Sequence, residues 1–392
     1  MKTRGTLIGA TLAVAALALA ACASPTEANE LAHPTLAPPR AAAPTGPSQQ
    51  QALDANATER AYIQAHPGAV ITTPPVSASS STSTSPSSSP SGSPAPGRYA
   101  SGMPWSDGGW FENDGAQANN FAAWRGHHVD NINVYNDRDS WSGMLDQGWK
   151  SGIPTSFVPA TDDLLISIPM WANNGSVSNI GTDAQWKQLA QQIASVDSDA
   201  IVRLGWEMNC CYSGATNANA AQWKADWTKE VTNMKSVAPN LKFAFNPNEG
   251  VSGNGFIADP STLFIPGQMD MVLLDAYDWW PPYNTTSNAT QHQTKTFGWD
   301  WWYGFAQSKG VPFGLGEFSV AHIGANGGND DPAFINFVYN WLDAKNTARV
   351  GSIRIVSLFN WTDSGIQHSL YPTNYNPNSA AAYKAQIARL AP

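Results

Sequence analysis

Eight short apolar runs rich in β-formers recur after residue 98 at intervals of about 30 to 40 residues, and this recurrence narrows the choice of fold more than any other feature. They are Tyr99 to Pro104, Val129 to Tyr135, Leu164 to Met170, Ile201 to Trp206, Leu241 to Asn246, Met271 to Tyr277, Pro312 to Glu317 and Ile353 to Phe359. Between several of them lie helical patterns with recognisable starts. Trp186, Leu189, Ile193 and Val196 follow Thr182-Asp183, and Trp223, Trp227, Val231 and Met234 follow Asn219. Phe334, Phe337, Trp341 and Leu342 follow Asp330-Asp331, with Pro332 in the first turn, where a missing N–H is harmless. Eight evenly spaced strand–helix units, with no Gly-x-Gly-x-x-Gly turn opening the first helix, predict a single (β/α)₈ TIM barrel and not a doubly wound sheet. In such a barrel chemistry sits where the strands end. The polar clusters Asn136-Asp137-Arg138-Asp139, Glu207-Met208-Asn209, Asn246-Pro247-Asn248-Glu249, Asp275-Ala276-Tyr277-Asp278, Glu317 and Asn360-Trp361 all fall there.

Composition sets the limits of the barrel. All 17 Trp lie at or after Trp105, whereas 23 to 97 is dominated by Pro, Ala, Ser and Thr and lacks the large apolar residues a core requires. The expected organisation is a signal peptide over 1–21, a disordered tether over 22–97 and a catalytic domain over 98–392. Lys2 and Arg4 precede an apolar run from Leu7 to Ala21, too short to span a bilayer comfortably. It ends in Leu19-Ala20-Ala21-Cys22, which resembles the bacterial lipobox, so Cys22 is expected to carry lipid and hold the protein outside the cytoplasm. Of 21 Lys plus Arg and 30 Asp plus Glu, four of each precede Arg98, leaving the domain at −9. That balance argues against nucleic acid or anionic lipid as a partner and suits a neutral one. Few charges and many aromatics suit a sugar-binding surface, since pyranose C–H faces stack on rings, although for any single Trp the core is the better assignment.

Strict alternation along the strands puts Arg203, Gly205 and Glu207 on one face of strand four, and Phe313, Leu315 and Glu317 on one face of strand seven. Two glutamates would then face each other across the barrel mouth. Glycoside hydrolysis needs such a pair, one to protonate the leaving oxygen and one to attack or to activate water. Two salt-bridged structural acids are the alternative, disfavoured by the matching positions at strand ends.

Arg203-Leu204-Gly205-Trp206-Glu207-Met208-Asn209 resembles the Arg-x-x-His-Glu-Met-Asn motif on strand four of glycoside hydrolase family 26, a member of clan A. Gly314-Leu315-Gly316-Glu317-Phe318 is similar to that family's nucleophile strand, and the likeness covers the domain from about residue 99 in strand order. The resemblance implies Glu207 as acid/base, Glu317 as nucleophile, a retaining mechanism and no cofactor. It implies endo-acting cleavage of β-1,4-mannan, with β-1,3-xylan or mixed-linkage β-glucan as alternatives. Trp206 stands where the family usually has His, which leaves the substrate open. A glycan-binding surface lipoprotein without catalysis is the rival from another class.

From the same resemblance Tyr277 is placed to offer a hydroxyl to the nucleophile, and Trp361 to lie under the sugar being cleaved. Trp206, Trp171, Trp279, Trp280 and Tyr212 are candidate sugar contacts, and Asn209, Asn246 and Asp275 candidate hydroxyl partners, with capping or turn roles as competing explanations. Arg203 is expected to favour charge on a neighbouring carboxylate. Asp107 and Trp110 are taken to follow strand one. Cys210 and Cys211, adjacent in an oxidising compartment, can pair within the chain only with each other if Cys22 is lipidated, giving a vicinal disulfide. Scattered His offer no metal-ligand spacing, and no metal is expected; Asn329-Asp330-Asp331 reads as a helix cap before it reads as a calcium site. A monomer acting on polysaccharide, touching membrane only through Cys22, completes the expectation.

Overall fold

In a computed structural model the described residues are 99–172, 179–210, 214–250, 256–322, 324–361, 366–373 and 375–391. The signal segment, Cys22, the tether, Cys211 and Tyr212 lie outside them. Eight parallel strands pair in chain order and close the last onto the first: β1 Ser106–Trp110, β2 Asn131–Tyr135, β3 Asp163–Ile168, β4 Ile201–Leu204, β5 Lys242–Phe245, β6 Met271–Tyr277, β7 Phe313–Ser319 and β8 Ile353–Phe359. Helices return the chain between them: α1 Gly115–Arg125, α2 Trp141–Leu145, α3 Asp183–Ala194, α4 Ala220–Lys235, α5 Thr286–Thr294, α6 Trp299–Lys309, α7 Pro332–Ala348 and, after β8, α8 Pro377–Leu390. This is the (β/α)₈ barrel that the spacing predicts. Among the described residues no helix is long and apolar enough to cross a membrane.

Local chemistry sets the helix starts. Thr182 and Gln185 form a reciprocal capping box at α3. Asp331 accepts from the Ala333 N–H at α7, with Pro332 at the first position. Asp330 accepts from the backbone N–H groups of Asn378 (3.0 Å) and Ser379 (2.7 Å), tying the start of α8 to that of α7.

The first strand differs from expectation. Tyr99 to Pro104 is not a strand; β1 is Ser-Asp-Gly-Gly-Trp, so Asp107 and Trp110 lie on it and not after it. A Cβ at Gly108 would stand 1.9 Å from the Asn131 carbonyl oxygen, and one at Gly109 2.4 Å from that of Leu358. The neighbouring backbones therefore leave room only for glycine, and the strand loses the apolar signature by which strands are read. Asp107 pairs with Arg125 at 2.6 Å and accepts from Tyr339 and Tyr383, a buried structural network.

The strands alternate between two environments. Val202, Leu204, Phe313, Leu315 and Val356 face outward and join Trp186, Leu189, Trp223, Trp227, Phe334 and Val338 of the helices in the main core. Leu165, Ile201, Ala244, Met271, Leu273 and Ile355 form a smaller apolar plug inside the barrel. Towards the strand ends the interior turns polar: Asn133, Ser167, Arg203, Asn246 and Asp275 are all buried there. Most Trp are core, as the single-residue expectation has it: Trp105, Trp149, Trp186, Trp223, Trp227, Trp299 and Trp302 are buried.

Candidate active site

Neither glutamate reaches the mouth by simple alternation. Strand β4 ends at Leu204, and the chain turns through Gly205 (φ 59°) and Glu207 (φ 50°). A Cβ at Gly205 would meet Met170 of the outer layer, so Gly205 does not share the interior face with Arg203. Glu207 is instead held by its own backbone, its N–H donating to the Asn246 carbonyl at 2.7 Å. Positive φ at a non-glycine residue is uncommon and clusters where a side chain must be aimed.

On β7 the expected face is also revised. Phe313 and Leu315 pack outward, whereas Glu317 turns inward, because the β6–β7 register slips: Leu274 faces Leu315, and the next residue, Asp275, faces Glu317. The extra residue, Gly316, sits over the polar interior. A Cβ there would lie 2.6 Å from Asp275 Oδ1 and 2.7 Å from Asn246 Oδ1, which explains the glycine and the bulge together.

Arg203 anchors the cluster. Fully buried, it donates to Ser167 Oγ at 2.9 Å, to Asp275 Oδ2 at 2.6 Å and to Glu317 Oε1 at 2.7 Å, and it also contacts Asn246 Oδ1 and the Tyr135 hydroxyl. The Tyr135 and Tyr277 hydroxyls donate to Glu317 Oε1 and Oε2 respectively. Burial, and then the charge of Glu317, push both phenols well above their ordinary range, so both keep the proton they donate. Three donors, from Arg203, Tyr135 and Tyr277, thus converge on the two oxygens of Glu317.

Glu207 meets the opposite environment. Burial first, and the nearby charge of Glu317 second, push its carboxyl up to about 8, against a weaker downward pull from the Asn248 hydrogen bond and Arg203. Asn248 Nδ2 donates to Glu207 Oε1 at 2.6 Å. One oxygen each of Glu207, Asp275 and Glu317 lie within 4.8 Å of one another, a spacing that could hold a metal ion, but the Arg203 guanidinium already supplies positive charge to two of the three.

Aromatic rings pack beside Glu317. Trp110, Tyr277, Phe359 and Trp361 form one cluster, with Tyr135 and Trp279 against it. Trp206 is buried with its ring edge-on to Tyr135 (centroids 5.7 Å apart), and Trp361 stacks parallel to His368. Trp279 is half-buried against Tyr277 and Trp280 is half-buried at φ 53°. Arg203 and Tyr277 thus bond Glu317 directly, whereas Trp279 and Trp361 pack in the cluster of Tyr277 and Trp206 packs on Tyr135. Other expected contacts are structural. Trp171 belongs to the outer core and donates to Asp226 at 3.1 Å, which makes it packing and not a platform. Asn246 and Asp275 are enclosed below the glutamates by Arg203 and each other. Asn209 is fully buried, and its amide spans the Asn248 N–H and the Asn248 and Gly250 carbonyls. These three serve the protein's own polar framework in place of sugar hydroxyls. Cys210 is buried and disulfide-bonded; Cys211 falls outside the described residues.

Tyr135, Asn248, Phe359 and His368 were not singled out in the sequence. Tyr135 and Phe359 are the last residues of their strands, and Asn248 lies inside a polar strand-end cluster, so position was the available signal.

No protein-family model and no curated protein matches the chain. Among solved structures it is similar to a double mutant of an endo-β-1,4-mannanase from Cellulomonas fimi, with a TM-score of 0.51 at 14% identity over 73% of this chain and 69% of that one. It is also similar to a modular Cellulomonas fimi endo-β-1,4-mannanase whose structure concerns glycoside hydrolase family 26, with a TM-score of 0.50 at 14% identity over 68% and 65%. The chain thus spans about two thirds of each. At such identity the shared property is the barrel fold.

Proposed function

We propose that the chain is a retaining, endo-acting β-glycanase with Glu207 as general acid/base and Glu317 as nucleophile. The observation that carries this reading is the pair itself: two carboxyls with oxygens no more than 4.8 Å apart in opposed environments. Retaining glycosidases hold their carboxyls about 5 to 5.5 Å apart, whereas inverting enzymes need about 6.5 to 9.5 Å to admit water. Glu317 attacks the anomeric carbon while Glu207 gives its proton to the departing glycosidic oxygen; Glu207 then takes a proton from the water that displaces Glu317. The first step requires an acid still protonated near neutral pH, and Glu207 meets this at about 8. Arg203, Tyr135 and Tyr277 fix Glu317 for in-line attack, and the surrounding rings present faces on which sugar C–H groups stack.

Mannan is the first substrate to try, on the sequence motif and on the likeness in fold to endo-β-1,4-mannanases. Trp206, where the resembling family has His, makes β-1,3-xylan and mixed-linkage glucan its comparators. A lipid at Cys22 would display the enzyme outside the cell on a long tether, as a monomer that cuts polysaccharide into importable pieces. The test offers all three polysaccharides to residues 98–392, with Glu207→Ala and Glu317→Ala alongside. Reducing ends released by the wild type and abolished in both variants, with the β-anomer appearing first by proton NMR, are expected. Binding without any release would leave a glycan-binding lipoprotein in its place.

A further inference from the structure

Asn248 is clasped by its main chain: its N–H donates to Asn209 Oδ1 at 2.8 Å, and its carbonyl accepts from Asn209 Nδ2 at 2.9 Å. The next residue is locked as well. Glu249 donates its N–H to the Asp275 carbonyl, and its carboxylate accepts from Lys295 Nζ (2.7 Å), His292 Nδ1 (2.6 Å) and the Tyr283 hydroxyl (2.7 Å). Tyr283 in turn is held by the Trp299 indole N–H at 2.8 Å. A network this extensive on both sides of Asn248 fixes its backbone, and so restricts the directions from which its side chain reaches Glu207.

Resting on the reading of Glu207 as the acid, we propose that Asn248 is a positioning residue that selects which oxygen of Glu207 carries the catalytic proton. A neutral carboxyl has one carbonyl oxygen, which accepts, and one hydroxyl, which donates. Asn248 presents an N–H to Oε1 and so makes Oε1 the carbonyl. The transferable proton therefore sits on Oε2, and when Oε2 gives it up to the leaving oxygen the same N–H stabilises the carboxylate that remains. Asn209 and the Glu249 network act one step further back, by holding the Asn248 backbone.

Leaving-group chemistry isolates the effect. A 2,4-dinitrophenyl leaving group departs without protonation, so loss of acid catalysis lowers kcat/KM for polysaccharide far more than for the 2,4-dinitrophenyl β-glycoside of its disaccharide. Asn248→Ala is expected to lower kcat/KM on whichever polysaccharide is cleaved by about 10- to 100-fold, and to change it little on the aryl glycoside. Because the lost N–H favoured the anion, the basic limb of its pH profile is expected to move up, by at most about one unit. Asn248→Asp keeps the shape but offers an acceptor to Oε1, and is expected to lose more activity and raise the basic limb further. Thermal melts show whether each variant folds, and the basic-limb shift is a readout that a merely looser fold would not give. Equal losses on both substrates, or an unmoved basic limb in folded Asn248→Ala and Asn248→Asp, overturn the proposal while leaving Glu207 in place. Glu207→Ala losing equally on both substrates, or no polysaccharide being cleaved, removes the reading of Glu207 and the proposal with it.

Discussion

Replacing Glu207 by glutamine separates what the fold prefers from what the chemistry needs. Glutamine imitates the protonated acid: its carbonyl can take the Asn248 N–H that Oε1 now accepts at 2.6 Å, and it never charges. In the wild type the folded carboxyl is pushed from 4.5 to about 8, chiefly by burial. The sign follows. Between those values the native state keeps a proton that the unfolded chain has released, so this group's contribution is fully present below about pH 4.5 and is lost as pH rises through about 8. At about 1.4 kcal/mol per tenfold change in proton affinity, the rise from 4.5 to about 8 sets a ceiling of about 5 kcal/mol on the penalty for an ionised Glu207. Glu207→Gln is therefore expected to match the wild type at pH 4.5 and to exceed it in stability increasingly up to pH 9. Urea unfolding of both proteins at pH 4.5, 7 and 9 measures this, and with m near 3 kcal/mol/M the full effect separates the midpoints by more than about 1 M. Comparing the two proteins at each pH cancels other buried acids such as Asp197 and Asp278, both pushed up to about 7 by burial and present in each. A stability difference that stays constant from pH 4.5 to 9 would refute the argument that burial holds the proton on Glu207.

The remaining predictions concern the framework around the pair. Arg203→Leu leaves Asp275 and Glu317 buried without their cation, and is expected to destabilise by about 3 to 5 kcal/mol, read by the same urea unfolding. Gly316→Ala drives a methyl to 2.6 Å from Asp275 Oδ1, and is expected to cost about 1 to 3 kcal/mol or more and to lower kcat by shifting Glu317. Tyr277→Phe removes one donor from Glu317 without changing shape, and a 10- to 100-fold loss in kcat/KM, about 1.4 to 2.7 kcal/mol, is expected from steady-state kinetics. Thiol titration of denatured residues 98–392 is expected to find no free cysteine before reduction and two after it, consistent with the disulfide at Cys210.

How far these results were legible in the sequence depended on the range of the interactions involved. Capping by Thr182 and Asp331 and the apolar periodicity of α3, α4 and α7 act within one or two helical turns, so they can be read directly and imply the barrel. Strand ends marked Glu207 and Glu317 because a barrel places its chemistry there. Strand β1 is not legible in the sequence because its glycines answer to the carbonyls of Asn131 and Leu358, which only the closed barrel brings against it from both sides. The inward turn of Glu317 depends on a register slip against β6, and the aim of Glu207 on a left-handed backbone turn bonded to Asn246, just past β5; alternation along one strand contains neither. Which polar residues reach the carboxylates and which serve only the interior was likewise unreadable, since Asn209 and Asn248 have the same side chain and differ only in what the barrel brings to them. Sequence alone determined the barrel and the ends of its strands on which two acids sit. Tertiary structure decided how those acids are aimed and charged, because burial and hydrogen bonds across the barrel come from residues far apart in the chain.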